Sequence, residues 1–398
     1  MNKTSRIPVI PAVLVWARES ISLSVEAAAK RIGVSQNILA SWEDGSLDPT
    51  ISQLRTAAEK YKRPLGVLLL STPPKDFDAM RDFRRQSDES NPWSPELHGE
   101  FRRALDQREV FMELAEESPD SMPTTVPPPS LTTNMDAQIA GNLLRDYLEL
   151  TISEQLKWKD PYTALNTLID RAEDKGIIVI HAKGVSIDEM RAFSISERPY
   201  PVIALNGSDF PRARVFSLFH ELTHLALNDG GLCDLHEGNG QRNHSAGDGS
   251  LEHFCNQVAA AALMPSSELL GQQVVKNATA AYQWNLEELD KLASRFQVSQ
   301  EALLLRLITL DKANWSTYRL RKNELEEQYA AAAVLRREKR KLKPGGPDFY
   351  KTKARDIGHG YASVVLDAFG GRAITSRDVA DFLDVKFGQI ERLQSELR

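Results

Sequence analysis

Five consecutive residues, His220-Glu221-Leu222-Thr223-His224, set two imidazoles and a carboxylate at a spacing suited to hydrolytic chemistry. On a helix, positions i and i+4 share one face with their Cβ atoms about 6 Å apart. Two imidazoles so placed can converge on one zinc ion at the ~2.0–2.1 Å of a zinc–nitrogen bond. Glu221 reaches the open side of such an ion. There it can take a proton from water and later pass it to a leaving amine. The flanking Phe216, Phe219, Leu225 and Leu227 are apolar. Histidines in that setting would be buried without purpose unless they bind something; the competing reading is a helix with two incidental histidines.

A catalytic zinc takes three protein ligands and keeps a fourth position open. The metzincin pattern is absent, because Leu227 stands where glycine is needed and Gly230 where histidine is needed. The remaining solution is a glutamate on a later helix. Glu252 fits: it opens the next helix, and Asn256 and Ala259 share its face. His253 points about 100° away from that face. His236 and His244 lie in a Gly-rich stretch and could ligate only if that stretch folds inward. Glu252 could also be an ordinary acid at a helix N-terminus, favoured by the dipole. Arg214, a turn and a half before His220, is a candidate oxyanion stabiliser. Cys255 reads as a small buried residue, since nothing near it in sequence activates a thiol.

These residues need elements to hold them. GIIVIHA (176–182), MRAFSI (190–195) and YPVIAL (200–205) are short β-branched runs separated by turn signals, hence strands. RARVFSLFHELTHLAL (212–227) is an apolar-periodic helix. The polar, Gly-rich stretch 228–250 is a loop tethered at both ends beside the metal ligands, which suggests a gate over the site. LEHFCNQVAAAALMP resumes a helix that stops at Pro265. Helices are also expected at about 95–117, 136–154, 161–175, within 266–310, at 320–343 and within 349–395. LDKLASRFQVSQEALLLRL (289–307) echoes a pattern near the N-terminus.

That pattern is a helix, a turn and a helix. Ser24 is a plausible N-cap with Ala27 and Ala28 inward, Gly33 makes the turn, and Ser35 caps a helix with Ile38, Leu39 and Trp42 on one face. Thr50 caps a further helix and Pro64 starts a short fifth one. If this unit binds DNA, Gln36, Asn37 and Ser41 would face base edges and Lys30 and Arg31 would meet phosphates. The second helix carries no Lys or Arg and ends in Glu43-Asp44, so a protein-interaction module is the alternative. The basic run RREKRKLK (336–343) reads as a solvated helix face, with a nucleic-acid contact as the alternative.

The 398 residues, 41% hydrophobic with a net charge of −6, allow two or three domains and make no whole-chain case for nucleic acid or membrane. Two cysteines cannot build a disulfide framework. No apolar run approaches the ~20 residues of a membrane span, and Pro8, Pro11 and Arg18 break any signal peptide. A cytoplasmic location is expected. The fold class is α+β, with an all-α unit at 1–75, a helical connection at 76–160, a zincin-like core of gluzincin type at 161–312 and a helical C-terminal region at 313–398.

FSLFHELTHLAL followed by EHFCNQVAAAALMP resembles the ImmA/IrrE-family metallopeptidases, and RAFSISERPYPVIALNGSDFPRARVFSLFHE resembles their usual lead-in. The resemblance covers about 175–310; separately, 10–70 resembles an XRE-type helix-turn-helix. Together they imply zinc on His220, His224 and Glu252, with Glu221 as general base. Where that family carries an acidic residue two before the Asn, this chain has Phe254, which leaves Glu252 as the carboxylate in reach. The resemblance implies an intracellular zinc endopeptidase whose substrate is a transcriptional repressor, often of XRE type, within a stress, mobile-element or toxin–antitoxin response. DNA and a second copy of the chain are further candidate partners. The alternative is a DNA-binding regulator whose core binds metal or partners without cleaving.

Overall fold

The computed structural model describes residues 6–74, 93–117, 122–227, 248–342 and 348–397. His236, His244, Cys233 and nearly all of the stretch expected to gate the site (228–247) lie outside these residues, as do the last two residues of the linker at 71–76 and part of the Pro-rich connection at 118–130. The chain divides into two compact units, one comprising Met1–Leu105 and Lys183–Glu189, the other Asp106–Ala182 and Met190–Arg398.

Among the described residues the first unit is helical, apart from an isolated bridge between Arg6 and Thr50. It contains α1 (Pro11–Glu19), α2 (Val25–Ile32), α3 (Gln36–Glu43) and α4 (Ile51–Lys60). The segment after Pro64 forms a 3₁₀ turn, Leu65–Leu69, not an α-helix. Ser24, Ser35 and Thr50 cap their helices by accepting backbone N–H groups, as their types favour. Leu39 and Trp42 are buried in the core with Leu14, Ile21, Leu54 and Tyr61. Two positions differ from the sequence reading. Ala28 and Ala29 face inward, Ala27 less so, and Ile38 is 37% exposed. Ala28, Leu39 and Trp42 are inward as the spacing suggested, and the two differences lie at the N-terminal edge of each face.

A long helix, α5 (Pro95–Glu117), contributes its first half to this unit and its second half to the other. The second unit continues with α6 (Ala137–Tyr147), a one-turn helix Ile152–Gln155, and α7 (Pro161–Asp174), so the helix expected at 136–154 is interrupted. Strands β1 (Ile178–Ala182), β2 (Ala192–Ile195) and β3 (Val202–Asn206) follow. Their order is β1-β3-β2, with β1 parallel and β2 antiparallel to β3. Every strand residue is buried, as a sheet covered on both faces requires, and this explains the unbroken apolar runs.

Helix α8 (Pro211–Leu227) starts on a proline, which costs nothing in the first turn, and lies against β2, β3 and α7. Helix α9 (Asp248–Leu263) begins three residues earlier than the sequence suggested and packs on α6 and α8. Two five-residue helices, Ser266–Leu270 and Gln273–Asn277, lead to α10 (Leu286–Phe296), α11 (Gln300–Thr309) and α12 (Trp315–Leu342). The C-terminal helices are α13 (Phe349–Ile357), α14 (His359–Gly370), α15 (Ser376–Phe382) and α16 (Ile390–Leu397); α13 and α14 pack on β1. No helix among the described residues is long and apolar enough to cross a membrane.

The echo at 289–307 is structural. Gly33 and Gln297 both take left-handed conformations, at φ 83° and 56°. Val34 N–H donates to Ala29 at 3.1 Å and Val298 N–H to Ala293 at 3.0 Å. Ser35 and Ser299 both cap the helix that follows. In the second copy, however, α11 is pressed between α9 and α12, with Leu303, Leu304, Arg306 and Leu307 buried.

The α6–α9 contact is close enough to demand a glycine. A Cβ on Gly141 would lie 2.7 Å from the backbone nitrogen of Ala262. In an open helix Gly→Ala gains about 1 kcal/mol. Here Gly141→Ala is expected instead to destabilise by about 1–3 kcal/mol through overpacking. Urea unfolding of the variant measures this, and a variant as stable as the parent would contradict the close approach.

Candidate metal centre

The apolar periodicity of α8 points almost all of its surface inward, so His220, Glu221 and His224 are 5%, 3% and 1% exposed. The i, i+4 spacing sets the two rings with their Nε2 atoms 3.1 Å apart. The first turns of α9 bring in Glu252. Its two carboxylate oxygens lie 3.2 Å from His220 Nε2 and 3.3 Å from His224 Nε2. These three are the group of His, Cys, Asp and Glu side chains among the described residues that could hold a metal ion.

The triangle they form has a specific size. Two ligands of a tetrahedral ion bound at ~2.0–2.1 Å are separated by about 3.3–3.4 Å. The imidazole nitrogens are 3.1 Å apart, and each lies 3.2 or 3.3 Å from one of the two Glu252 oxygens, close to that spacing, so the donor set suits a small cation held between them. The surroundings prepare the donors. His220 Nδ1–H donates to Asn256 Oδ1 at 3.2 Å, one turn along α9 from Glu252. This bond selects the tautomer whose Nε2 lone pair faces the triangle.

Glu221 is held from the sheet. Ser194 Oγ on β2 donates to its Oε2 at 2.7 Å. The two carboxylates are driven apart in acidity. Burial, opposed by the two imidazoles and the Ser194 hydroxyl, pushes Glu221 above the usual carboxylate range. Burial also acts upward on Glu252, but the hydrogen bonds and charges of both imidazoles outweigh it and bring its pKa down to about 2. One carboxyl is thus suited to carry a proton and the other to stay ionised.

Residues 172–308 match the model of the IrrE N-terminal-like domain, a peptidase family, and residues 14–68 match a helix-turn-helix family. This chain carries both domains. No curated protein and no solved structure matches it. The IrrE-like segment contains Ser194, His220, Glu221, His224, Glu252 and Asn256, and it ends within α11.

Of the sequence candidates, the IrrE-like domain brings His220, Glu221, His224 and Glu252 together. His253 is exposed and near Gln257, away from the triangle. Phe254 is buried in the core. Arg214 is not brought to the triangle; its electrostatic neighbours are Arg355, Tyr162, Asp209 and Asp356. Ser194 went unnoticed in the sequence, although a serine inside a fully buried strand is itself a signal of a polar partner.

In the helix-turn-helix domain Lys30, Arg31, Gln36 and Asn37 are all exposed. Arg31 is paired with Glu96 at 2.9 Å. Ser41 is turned onto the backbone, its Oγ donating to Asn37 O at 2.8 Å. Glu43, which made α3 look acidic, is neutralised by Arg18 through bonds of 2.7 and 3.0 Å.

Two outcomes follow from this geometry. Asn256→Ala should leave the fold intact and weaken metal binding about 10–100-fold in a chelator competition; unchanged affinity would mean the His220 tautomer is set by something else. For DNA, Lys30→Ala should lower the salt slope of binding by about 1, and Glu96→Gln, which releases Arg31, should tighten binding. If neither variant moves the slope or the affinity, phosphate contacts lie elsewhere on the domain.

Proposed function

We propose that this chain is a zinc-dependent endopeptidase with a zincin-like core that cleaves a regulatory protein, an XRE-type transcriptional repressor, within a stress or mobile-element response. The observation that carries the reading is the buried His220–His224–Glu252 triangle with the Glu221 carboxylate beside it. The helix-turn-helix domain supports DNA as a second partner and is of the same class as the proposed substrate.

Held by His220, His224 and Glu252, zinc would supply Lewis acidity toward the scissile carbonyl and lower the pKa of a water toward 7. The chain's own groups do the rest. Glu221 accepts the proton of the attacking water and hands it to the leaving amine. Its raised pKa brings its proton affinity nearer to that of neutral water chemistry, which is where a general base works best. Ser194 occupies Oε2, so Oε1 is the oxygen left to handle the proton. Asn256 keeps His220 in the ligating tautomer, and Glu252 remains an anion that offsets the charge of the cation.

The test is cleavage of a co-expressed XRE-type repressor by purified, metal-loaded protein. Glu221→Gln is expected to keep its metal and lose about 10²–10⁴ in rate. Ser194→Ala should lose less, about 10-fold, since it only orients the base. Near-normal cleavage by Glu221→Gln would assign the base to another residue. Metal binding without cleavage of any repressor would leave a regulator whose core binds metal and does not hydrolyse.

A further inference from the structure

Away from the metal centre, the first turn of α8 buries a charge that its neighbours do not balance. Arg214 is 3% exposed, and its Nε has no hydrogen-bond partner. Its charged neighbours are Arg355, Asp209 and Asp356, with Tyr162 alongside. Both carboxylates are already engaged. Asp209 pairs with Arg191 at 3.1 Å, and Asp356 accepts from Arg355 Nη2 at 2.5 Å. Among the described residues the cluster therefore holds three guanidinium groups, Arg191, Arg214 and Arg355, against two carboxylates. A buried guanidinium whose Nε lacks a partner, and whose nearest carboxylates are shared with other arginines, favours a further anion beside it.

The position suits one. β1 and β3 run parallel and end at Ala182 and Asn206, and the chain then turns through Gly207 and Ser208 into α8. The carboxyl ends of parallel strands, at the start of the following helix, are where anions gather in such sheets. Arg355, on α13, leans over this turn: its Nη2 is 3.4 Å from where a Cβ on Gly207 would stand. Its backbone carbonyl accepts from His181 Nδ1–H of β1 at 3.0 Å, which fixes α13 against the strand end. The cluster is reachable from solvent, because the side chains of Arg191 and Arg355 remain 45% and 40% exposed.

We propose that the β3–α8 turn, with Arg214 and Arg355 beside it, is a binding site for a small tetrahedral oxyanion of the phosphate class. Guanidinium forks from two elements match the oxygens of a phosphoryl group better than a single point charge would. The site is separate from the metal centre and independent of whether that centre hydrolyses peptides.

The experiment is thermal unfolding of the full chain, metal-loaded, titrated with sodium phosphate, with AMP, and with sodium chloride at matched ionic strength. Phosphate is expected to raise Tm by about 2–4 °C over chloride. A rise with phosphate alone assigns the free ion; a rise with AMP as well assigns a phosphate monoester. In Arg214→Met the rise should vanish, while Tm without phosphate should hold or increase because an unpaired buried charge is gone. Arg355→Met, at a more open position, should also abolish the rise and serves if Arg214→Met does not fold. No rise over chloride with either ligand, or the same rise in both variants, overturns the proposal.

Discussion

The contact of α8 with α9 is the constraint on which the rest of the second unit depends. It places two imidazole nitrogens and a carboxylate within 3.3 Å of one another, almost fully out of water. Polar groups buried that closely are tolerable only when they are hydrogen-bonded, ionised against each other, or shared by a cation. The acidities show the tension: one carboxylate is drawn far down by the imidazoles and the other is pushed up by burial. A site of this kind holds its geometry only if both helices are rigidly placed.

Their placement is built from packing on the far sides. α9 lies so close on α6 that Gly141 must stand beneath Ala262, and the small residues Ala259–Ala262 make that approach feasible. Arg145, buried on α6, donates from its side chain to the carbonyl of Ala262 on α9 and to that of Leu150 after α6, which ties the side chain of one helix to the backbone of the other. α8 is set against the sheet, and β2 supplies the hydroxyl that grips Glu221. The metal-facing side of α8 and its sheet-facing side thus each fix one part of the candidate chemistry.

The helix-turn-helix domain and the segment 289–307 show one local solution in two settings. The runs AKRIGVSQ (29–36) and ASRFQVSQ (293–300) form the same left-handed turn and serine cap because short-range bonding dictates both. What the following helix does differs. α3 leaves Gln36 and Asn37 in solvent, whereas α11 gives its apolar face to α9 and α12. A local motif decides the turn and leaves the function of the second helix to its surroundings.

The same division runs through the whole protein. Spacing alone was enough to put His220, Glu221 and His224 on one helix, to find the three strands and the serine and threonine caps, and to nominate Glu252, because helical and strand periodicities and caps act over a few residues. What pairs across long separations was not legible. Ser194 meets Glu221 from 27 residues away, Asn256 meets His220 from 36, and Arg18 cancels Glu43 from 25. Ala27 and Ile38 were misplaced because propensity and spacing leave the helix rotation uncertain by one residue, and only packing against a partner resolves it. Among the sequence candidates, Glu252 rather than His253 joined the imidazoles through a rotation of α9 that its contacts with α6 and α8 impose. Arg214 was taken from its distance along α8 to His220, but tertiary packing sets it among Arg355, Asp209 and Asp356. Residue types and local periodicity determine which chemistry is available; which groups meet is decided by the burial of faces that are distant in sequence.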